Sequence, residues 1–351
     1  MKLQQIALLP GDGIGPEVVA QAVKVLKAAS DRYNLNLTFK EGLIGAIAID
    51  KTGDPFPAET EALCEASDAI LLGAVGDPKF DNDPNAKVRP EQGLLRMRKN
   101  LGLFANVRPT VMYKELADFS PLRKERLEGV DLVIYRELTS GVYFGEKSTA
   151  ADGQSAQDVC YYAISEIERV AHLAFKAAQK RRKKLCLVDK ANVLDTSRLW
   201  RKTVQKMSAE YPDVEVSYMF VDNAAMQMIV WPAQFDVLLT SNMFGDIISD
   251  EASVLSGSMG LLPSASVGNE NVLFEPIHGS YPQAAGKDIA NPMATILSAA
   301  MLLRQFDLDE AATAIEQAVE TCIQQGFVTQ DLNKENYMGT NAVGSKVASL
   351  I

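Results

Sequence analysis

Two aspartates in the segment FDVLLTSNMFGDIISDEASVLSGSMG, Asp246 and Asp250, are four residues apart. A helix predicted to begin near Phe244 would place both on one face. Like charges at this spacing repel each other, and carboxylate oxygens are ligands that suit Mg²⁺ or Mn²⁺. The pair therefore indicates either a metal site, with Asp222 from the end of another strand as a third ligand, or a solvated acidic face, which is common.

Arginines supply the second kind of chemistry. Arg98 and Arg108 lie around a short apolar segment, and Arg136 ends the strand-like run DLVIYREL. Guanidinium groups bind carboxylates with two parallel hydrogen bonds, so three of them could hold a diacid. Leu94 and Leu95 would add an apolar wall. The spacing alone is also compatible with solvated surface charges.

Two further residues could move protons. Tyr143 lies in the loop TSGVYFGE after the Arg136 strand, and Lys190 follows the strand LCLV. The ends of strands are where α/β proteins place their chemistry. A lysine beside a metal could act as a base and a tyrosine could donate a proton, although either residue alone is more often structural.

The loop GDGIGPE follows a predicted strand, residues 5–9, and Pro16 suits the first turn of a helix. Its glycines follow a GxGxG pattern, whereas the dinucleotide fingerprint requires GxGxxG. No acidic residue ends a second strand about twenty residues later, where a ribose partner would lie. The loop favours a tight strand-to-helix turn near an active site over a Rossmann site.

Composition excludes several classes of protein. The chain has 351 residues, 47% of them hydrophobic and 23% charged, as expected of a globular protein, and its net charge of -10 argues against a nucleic-acid partner. Two histidines exclude a three-histidine zinc site. No apolar run reaches the roughly 20 residues of a membrane span, and the N-terminal run is too short for a signal peptide. The expected location is cytoplasmic, with four buried reduced cysteines: Cys64, Cys160, Cys186 and Cys322.

Short apolar runs alternate with helical segments along the chain. The predicted strands include residues 69–73, 130–134, 185–188 and 237–240, and the longest helix is predicted from about 155 to 180. Residues 76–90, rich in Asp, Asn and Pro, are predicted as a loop. The alternation indicates an α/β protein with a largely parallel sheet.

Six motifs together resemble the isocitrate and isopropylmalate dehydrogenase family. In the family's order they are GDGIGPE, RPEQGLLRMRKNLGLFANVRP, RELTSGVYFGE, DKANVL, NMFGDIISD and EPIHGSYP. The resemblance implies the family's own two-domain α/β fold with a mixed, largely parallel sheet, not a Rossmann fold. It implies a cofactor-binding domain of residues 1–103 plus 257–351, and a second domain of residues 104–256 that carries the dimer interface and metal ligands.

The same resemblance implies roles for individual residues in a homodimer with shared active sites. Arg98, Arg108 and Arg136 match the clamp on the malate carboxylates, and Asp246 and Asp250 match metal ligands. Asp222, another metal and substrate contact, and Lys190, which assists removal of the hydroxyl proton, would come from the partner subunit. Tyr143 would protonate the enol carbon after decarboxylation. The part that faces the third substituent of the substrate is matched by Glu91, Leu94 and Leu95.

The cofactor implied by the resemblance is NAD, with Mg²⁺ or Mn²⁺. The matching cofactor contacts are Ile14, Glu275, His278, Gly279, Ser280, Gln283, Gly286 and Asn291. Gln283 departs from the family, since NAD-using members usually carry aspartate there and NADP-using members carry lysine followed by tyrosine. Glutamine can hydrogen-bond a ribose hydroxyl but brings no charge for a phosphate, so NAD stays the expectation.

The EQGLLRMRKNLGLFANVRP stretch resembles the isopropylmalate branch. It implies oxidative decarboxylation of (2R,3S)-3-isopropylmalate to 4-methyl-2-oxopentanoate in leucine biosynthesis. Leu94 and Leu95 are too apolar for the third carboxylate of isocitrate. Two alternatives are a D-malate or tartrate dehydrogenase of the family and a non-catalytic regulatory subunit. The leucines disfavour the first, and the presence of Tyr143, Lys190 and all three aspartates disfavours the second.

Overall fold

A computed structural model describes residues 3–81 and 87–351 of the chain. Its internal contacts divide it into two compact units: unit 1, Met1–Leu103 with Gly257–Ile351, and unit 2, Phe104–Ser256. Residues 82–86, within the segment predicted as a loop, lie outside the described part. Strands and helices are numbered below in chain order.

The strands are β1 Gln5–Gly11, β2 Thr38–Glu41, β3 Ala69–Ala74, β4 Ala105–Val111, β5 Asp131–Glu137, β6 Lys147–Thr149, β7 Ala156–Asp158, β8 Lys184–Asp189, β9 Glu215–Phe220, β10 Val237–Thr240, β11 Pro263–Val267 and β12 Val272–Pro276. The helices are α1 Gly15–Tyr33, α2 Ala46–Thr52, α3 Ala58–Glu65, α4 Pro78–Asp81, α5 Pro90–Asn100, α6 Lys124–Leu127, α7 Ile164–Lys180, α8 Asp195–Met207, α9 Val221–Val230, α10 Asn242–Ser253, α11 Met293–Gln305, α12 Asp309–Gln324 and α13 Thr340–Leu350.

The strands of unit 1 follow the order β2-β1-β3-β12-β11. All neighbours are parallel except β11, which runs antiparallel to β12. Every residue of β3 is buried, as expected of a strand with both faces covered. The long helix α11 is buried along almost its whole length, and α1 and α12 pack against it.

The glycine loop of unit 1 is a tight turn between β1 and α1, as predicted. Gly13 has φ +57, and a Cβ atom there would lie 2.0 Å from the carbonyl oxygen of Ser280, so only glycine fits. The backbone N–H of Ile14 donates to the same oxygen at 2.8 Å. The turn is thereby joined to the loop after β12.

Unit 2 contains strands in the order β4-β5-β10-β8-β9, parallel except for the antiparallel pair β4 and β5. Side chains of β5 alternate between two buried clusters: Leu132 and Ile134 pack on one face, and Val133 packs on the other. Helices α7 and α8 contribute to one cluster, and α9 and α10 contribute to the other. The α/β class and the mixed, largely parallel sheet are therefore confirmed.

The predicted start of the long helix near residue 155 is wrong. The α7 helix begins at Ile164, while Ala156–Asp158 pair with Lys147–Thr149 as an exposed antiparallel hairpin. The physical reason is a cap: Glu166 accepts a hydrogen bond of 2.7 Å from the backbone N–H of Ala163 and so fixes the first turn.

The expectation of four buried cysteines is also wrong at one position. Cys64, Cys186 and Cys322 are buried, and burial raises the pKa of Cys64 to about 12. Cys160 is exposed because it follows the exposed hairpin strand β7. None of the helices that the structure describes is long and apolar enough to cross a membrane.

Asp12, a residue of the glycine loop, holds the loop in place through backbone hydrogen bonds. No feature of the sequence indicated this role. One carboxylate oxygen accepts hydrogen bonds from the backbone N–H groups of Ala46 and Gly76 at 2.8 Å, and the other accepts one from Ile47 at 2.9 Å. Burial raises the pKa of Asp12, although these bonds oppose the rise. The carboxylate therefore joins the loop to the N-terminus of α2 and to the chain after β3.

We expect Asp12→Asn to lower the free energy of unfolding by roughly 1–3 kcal/mol, because an amide has one acceptor oxygen and leaves a buried N–H unpaired. Urea unfolding measures the loss. Asp68→Asn is the matched control, since one oxygen of Asp68 accepts from both Gln4 and Gln5, at 2.8 and 2.9 Å, and an amide oxygen can do the same. Equal losses in the two variants would contradict the role given to Asp12.

Candidate active site

The two predicted metal ligands lie on α10, and each is paired with an arginine of unit 2. Arg136 forms an ion pair with Asp246, and Arg108 Nη1 lies 2.8 Å from Asp250 Oδ1. The side chains of Arg136 and Arg108 are only 6% and 16% exposed, whereas that of Asp250 is 73% exposed. The arginines compensate the repulsion between the two carboxylates, and the carboxylates in turn pair the two largely buried cations.

Sheet register explains why these two arginines meet. In the antiparallel pair of β4 and β5, Arg136 is opposite Asn106, and Arg108 is two residues further along β4. Residues two apart in a strand point to the same face of the sheet, so both guanidinium groups reach α10. The sequence separation of 28 residues gave no sign of this proximity.

Tyr143 completes this cluster. It ends a short 3₁₀ turn, Gly141–Tyr143, and its hydroxyl donates to Asp246 Oδ2 at 2.9 Å. Partial burial and the hydrogen bond to Asp246 raise the pKa of Tyr143, which keeps the phenol protonated at neutral pH. With 40% of its surface exposed, Tyr143 can donate that proton to a bound molecule.

Lys190 and Asp222 form a second group. Lys190 follows β8, Asp222 lies in the first turn of α9, and Lys190 Nζ is 2.8 Å from Asp222 Oδ1. The hydrogen bond from Lys190 lowers the pKa of Asp222. Asp222 is 67% exposed and Lys190 is 26% exposed, so the pair faces solvent.

A divalent cation fits the α10 carboxylates by donor chemistry, since Mg²⁺ and Mn²⁺ prefer carboxylate oxygens. Within residues 3–81 and 87–351, however, no three His, Cys, Asp or Glu side chains gather as a metal site. One chain therefore offers Asp246 and Asp250, and it does not bring Asp222 to them.

The predicted substrate contacts of unit 1 share one face of α5. Glu91, Leu94, Leu95 and Arg98 follow the i, i+3, i+4, i+7 spacing of a helix face, and Leu95 is 44% exposed. Arg98 Nη2 lies 2.9 Å from Glu275 Oε1, and both side chains are largely buried. The three predicted arginines are thus divided between the units, with Arg98 in unit 1 and the other two in unit 2.

The predicted cofactor contacts surround the loop after β12. His278 Nε2 is buried without a hydrogen-bond partner among the described residues, and burial lowers the pKa of His278. An unpaired buried polar atom in a loop is consistent with a ligand contact. Gln283 is exposed, whereas Ala284 is buried in an apolar cluster with Ile14.

The remaining predicted cofactor contacts hold the loop in place. Ser280 is largely buried beneath the glycine loop, and the carbonyl oxygen of Gly279 accepts a hydrogen bond of 3.0 Å from His278 Nδ1. The backbone N–H of Gly286 donates to Glu17, and the Asn291 amide donates to Asp331 at 3.0 Å.

Sequence reasoning missed Asn242, the first residue of α10. Its side-chain oxygen accepts hydrogen bonds from Arg136 Nε and Nη2 at 3.1 and 2.9 Å, and it is 1% exposed. The signal was present, because Asn242 precedes Asp246 by four residues and so lies on the same helix face. It was overlooked because a neutral amide suggests no catalytic role until its contact with Arg136 is known.

Comparisons with known proteins identify the family of the chain. The family model described as isocitrate/isopropylmalate dehydrogenase matches residues 5–347. Proteins named 3-isopropylmalate dehydrogenase from Bacteroides fragilis and Bacillus subtilis are each 53% identical to the chain, covering 99% of it and 98% and 97% of the relatives.

Solved structures give the same result at lower identity. The isocitrate dehydrogenase of Methylococcus capsulatus matches with a TM-score of 0.88 at 35% identity, covering 99% of each chain. A β-decarboxylating dehydrogenase of Thermococcus kodakarensis matches with a TM-score of 0.83 at 34% identity, covering 99% of this chain and 96% of its own. The paired aspartates and arginines of unit 2 thus stand in a chain that belongs to the isocitrate/isopropylmalate dehydrogenase family.

Proposed function

We propose that the protein is an NAD-dependent enzyme of leucine biosynthesis that oxidises and decarboxylates (2R,3S)-3-isopropylmalate to 4-methyl-2-oxopentanoate. The observation that carries the proposal is the cluster of Arg108, Arg136, Tyr143, Asp246 and Asp250, which combines cations for carboxylates, a proton donor and oxygen ligands for a cation. The full-length relatives at 53% identity support the choice of substrate.

In the proposed reaction, Arg108 and Arg136 bind the carboxylates of the malate part together with Arg98. Their planar groups suit two parallel hydrogen bonds to a carboxylate. The leucines of α5 face the third substituent, where a branched alkyl group gains more from an apolar surface than a hydrogen atom or a hydroxyl group does. A third carboxylate would be left without a charge partner there.

Lys190 and Tyr143 move protons in the proposed reaction. When Asp222 is engaged as a ligand, Lys190 no longer shares that carboxylate, and its amine assists removal of the hydroxyl proton. After carbon dioxide has left, Tyr143 donates its proton to the enol carbon. The Tyr143 phenolate then regains a proton from solvent, because part of its side chain is exposed.

Asp246 and Asp250, with Asp222 of the partner subunit, would hold Mg²⁺ or Mn²⁺. When bound, this cation stabilises the negative charge that develops on the substrate oxygen during proton removal and decarboxylation. The loop after β12 is the proposed site for NAD, which would supply the hydride acceptor. Ala284 is buried and carries no group that could bind a phosphate, and Gln283 is neutral, which supports NAD over NADP.

A homodimer with shared sites is part of the proposal. Large apolar side chains are exposed on α9 and α10 and just beyond them: Met226, Ile229, Val230, Trp231, Met243, Ile247 and Val254. A surface of this kind marks a protein interface, and a two-fold dimer would bury the same patch on both subunits. Because Asp222 lies on α9 and Asp246 on α10, such a dimer can bring a partner's Asp222 to the α10 pair.

A cytoplasmic location completes the proposal. All four cysteines lie among the described residues and none of them is paired in a disulfide, and three of them are buried. Unpaired buried thiols are typical of a reducing compartment.

A substrate and cofactor panel tests the proposed activity. With Mg²⁺ or Mn²⁺, we expect the highest kcat/KM for isopropylmalate among isopropylmalate, D-malate, tartrate and isocitrate, and a higher value with NAD than with NADP. Malate as the best substrate would identify the alternative enzyme of the family. No release of carbon dioxide from any substrate would favour the regulatory subunit, and NADP at or above NAD would reverse the cofactor assignment.

Two substitutions test the assigned roles. We expect Lys190→Met to lower kcat by at least about a hundredfold, because general acid-base groups typically contribute factors of this size. Tyr143→Phe should slow the late protonation step more than hydride transfer, which rapid-mixing measurements of NADH and ketoacid separate. Circular dichroism and Tm serve as controls for folding. Wild-type turnover in both variants would refute the roles.

Mixing the two variants tests the shared site. If Lys190 and Tyr143 of one site come from different subunits, a mixed dimer contains one site with both residues intact and one with neither. Random pairing of equal amounts should then recover about a quarter of wild-type turnover, since half of the dimers are mixed and each has one working site. If each site uses residues of a single chain, mixing will restore nothing.

A further inference from the structure

We infer that Asn242 is a positioning residue that joins the Arg136 guanidinium to the turn carrying Tyr143. Because its side chain is neutral, it does so without adding a negative charge that would compete with the substrate for Arg136. The inference rests on the proposed function, which assigns Arg136 to a substrate carboxylate and Tyr143 to proton donation. Neither the family match nor the named relatives give Asn242 a role.

The side-chain amide of Asn242 has two distinct contacts. Its oxygen accepts from Arg136 Nε at 3.1 Å and from Nη2 at 2.9 Å, and its Nδ2 donates to the carbonyl oxygen of Ser140 at 3.0 Å. An amide oxygen has two lone pairs and an amide nitrogen has two hydrogens, so this residue type matches both neighbours. At 1% exposure, water cannot replace these partners.

The contacts close a ring of interactions around the site. From Asn242 the ring passes to Arg136, then to Asp246 through the ion pair, and then to the hydroxyl of Tyr143 at 2.9 Å. It returns through the turn Gly141–Tyr143 to Ser140, whose carbonyl oxygen binds Asn242 again. A displaced amide therefore disturbs the substrate-binding cation and the proton donor together.

Packing against Gly245 is a second restraint on Arg136. Gly245, one turn along α10, lies directly beside its aliphatic part, and a Cβ atom at Gly245 would be 2.5 Å from Arg136 Cγ. The side chain is thus held between Gly245 and the Asn242 amide. The backbone N–H of Asn242 is itself fixed by the Tyr162 hydroxyl at 2.9 Å.

The neutrality of the amide is the chemical core of the inference. An aspartate of nearly the same shape could accept from Arg136 in the same geometry, but it would form a buried ion pair and compete with the substrate carboxylate for the charge. It would also present an oxygen to the Ser140 carbonyl oxygen and remove a hydrogen bond. Asparagine holds the guanidinium without neutralising it.

The test measures binding and catalysis in a cycle with Arg136→Lys. We expect Asn242→Asp to weaken isopropylmalate binding roughly ten- to hundredfold, the range for hydrogen bonds to charged groups, with KM for NAD nearly unchanged. Calorimetric titration of isopropylmalate in the presence of Mg²⁺ and without NAD gives the binding constant independently of turnover. Because Asn242 acts through Arg136, Asn242→Asp should weaken isopropylmalate binding much less in the Arg136→Lys background than in the wild-type protein.

The matched control is Thr240→Val, two residues before Asn242. Thr240 is fully buried, and its hydroxyl donates to the carbonyl oxygen of Val188 at 2.8 Å, so the variant also loses one buried hydrogen bond. It should lower Tm without weakening isopropylmalate binding. If Asn242→Asp does not fold, Asn242→Ala takes its place in the cycle.

Two results would overturn the inference: Asn242 variants that lose Tm as Thr240→Val does but bind isopropylmalate normally, or effects of Asn242 and Arg136 that multiply independently. These outcomes are distinct from failure of the proposed function. If the wild-type protein neither binds nor converts isopropylmalate, the proposed substrate is wrong, whereas normal wild-type activity with an additive cycle rejects only the role of Asn242.

Discussion

Charge compensation on α10 is the interaction on which the site depends. Asp246 and Asp250 are one turn apart and repel each other, and Arg136 and Arg108 are too deeply buried to remain unpaired. Loss of either aspartate would leave a largely buried guanidinium without its counter-ion, which is unfavourable because that charge is also shielded from water. Strands β4 and β5, which carry the arginines, must therefore keep their position relative to α10, which carries the aspartates.

The same balance of charges can be exchanged with ligands. In the proposed function a cation takes over the aspartates, and the two carboxylates of the malate part take over the arginines. The cation replaces the arginines as the counter-charge of the aspartates, and the substrate carboxylates replace the aspartates as the counter-charge of the arginines. Asn242 keeps Arg136 in place during this exchange, because its neutral side chain still accepts hydrogen bonds from Arg136 when Asp246 binds the cation.

The sequence predicted the strands and helices better than the contacts between residues distant in the chain. Alternating apolar runs located strands such as β10, and the spacing of Asp246 and Asp250 correctly placed them on one helix. The hairpin of β6 and β7 was missed because its strands are short and fully exposed, so no hydrophobic alternation marks them. Asp12 and Asn242 were missed because their roles come from backbone groups and an arginine distant in sequence.

In the proposed function, the substrate and the cation exchange partners at one set of charges. Mn²⁺ binding followed by electron paramagnetic resonance, with and without isopropylmalate, tests it most directly on the wild-type protein. The account predicts positive coupling: saturating isopropylmalate should raise the affinity for Mn²⁺ by about tenfold or more, and Mn²⁺ should raise the affinity for isopropylmalate by the same factor. Binding of each ligand that is unaffected by the other would contradict the account.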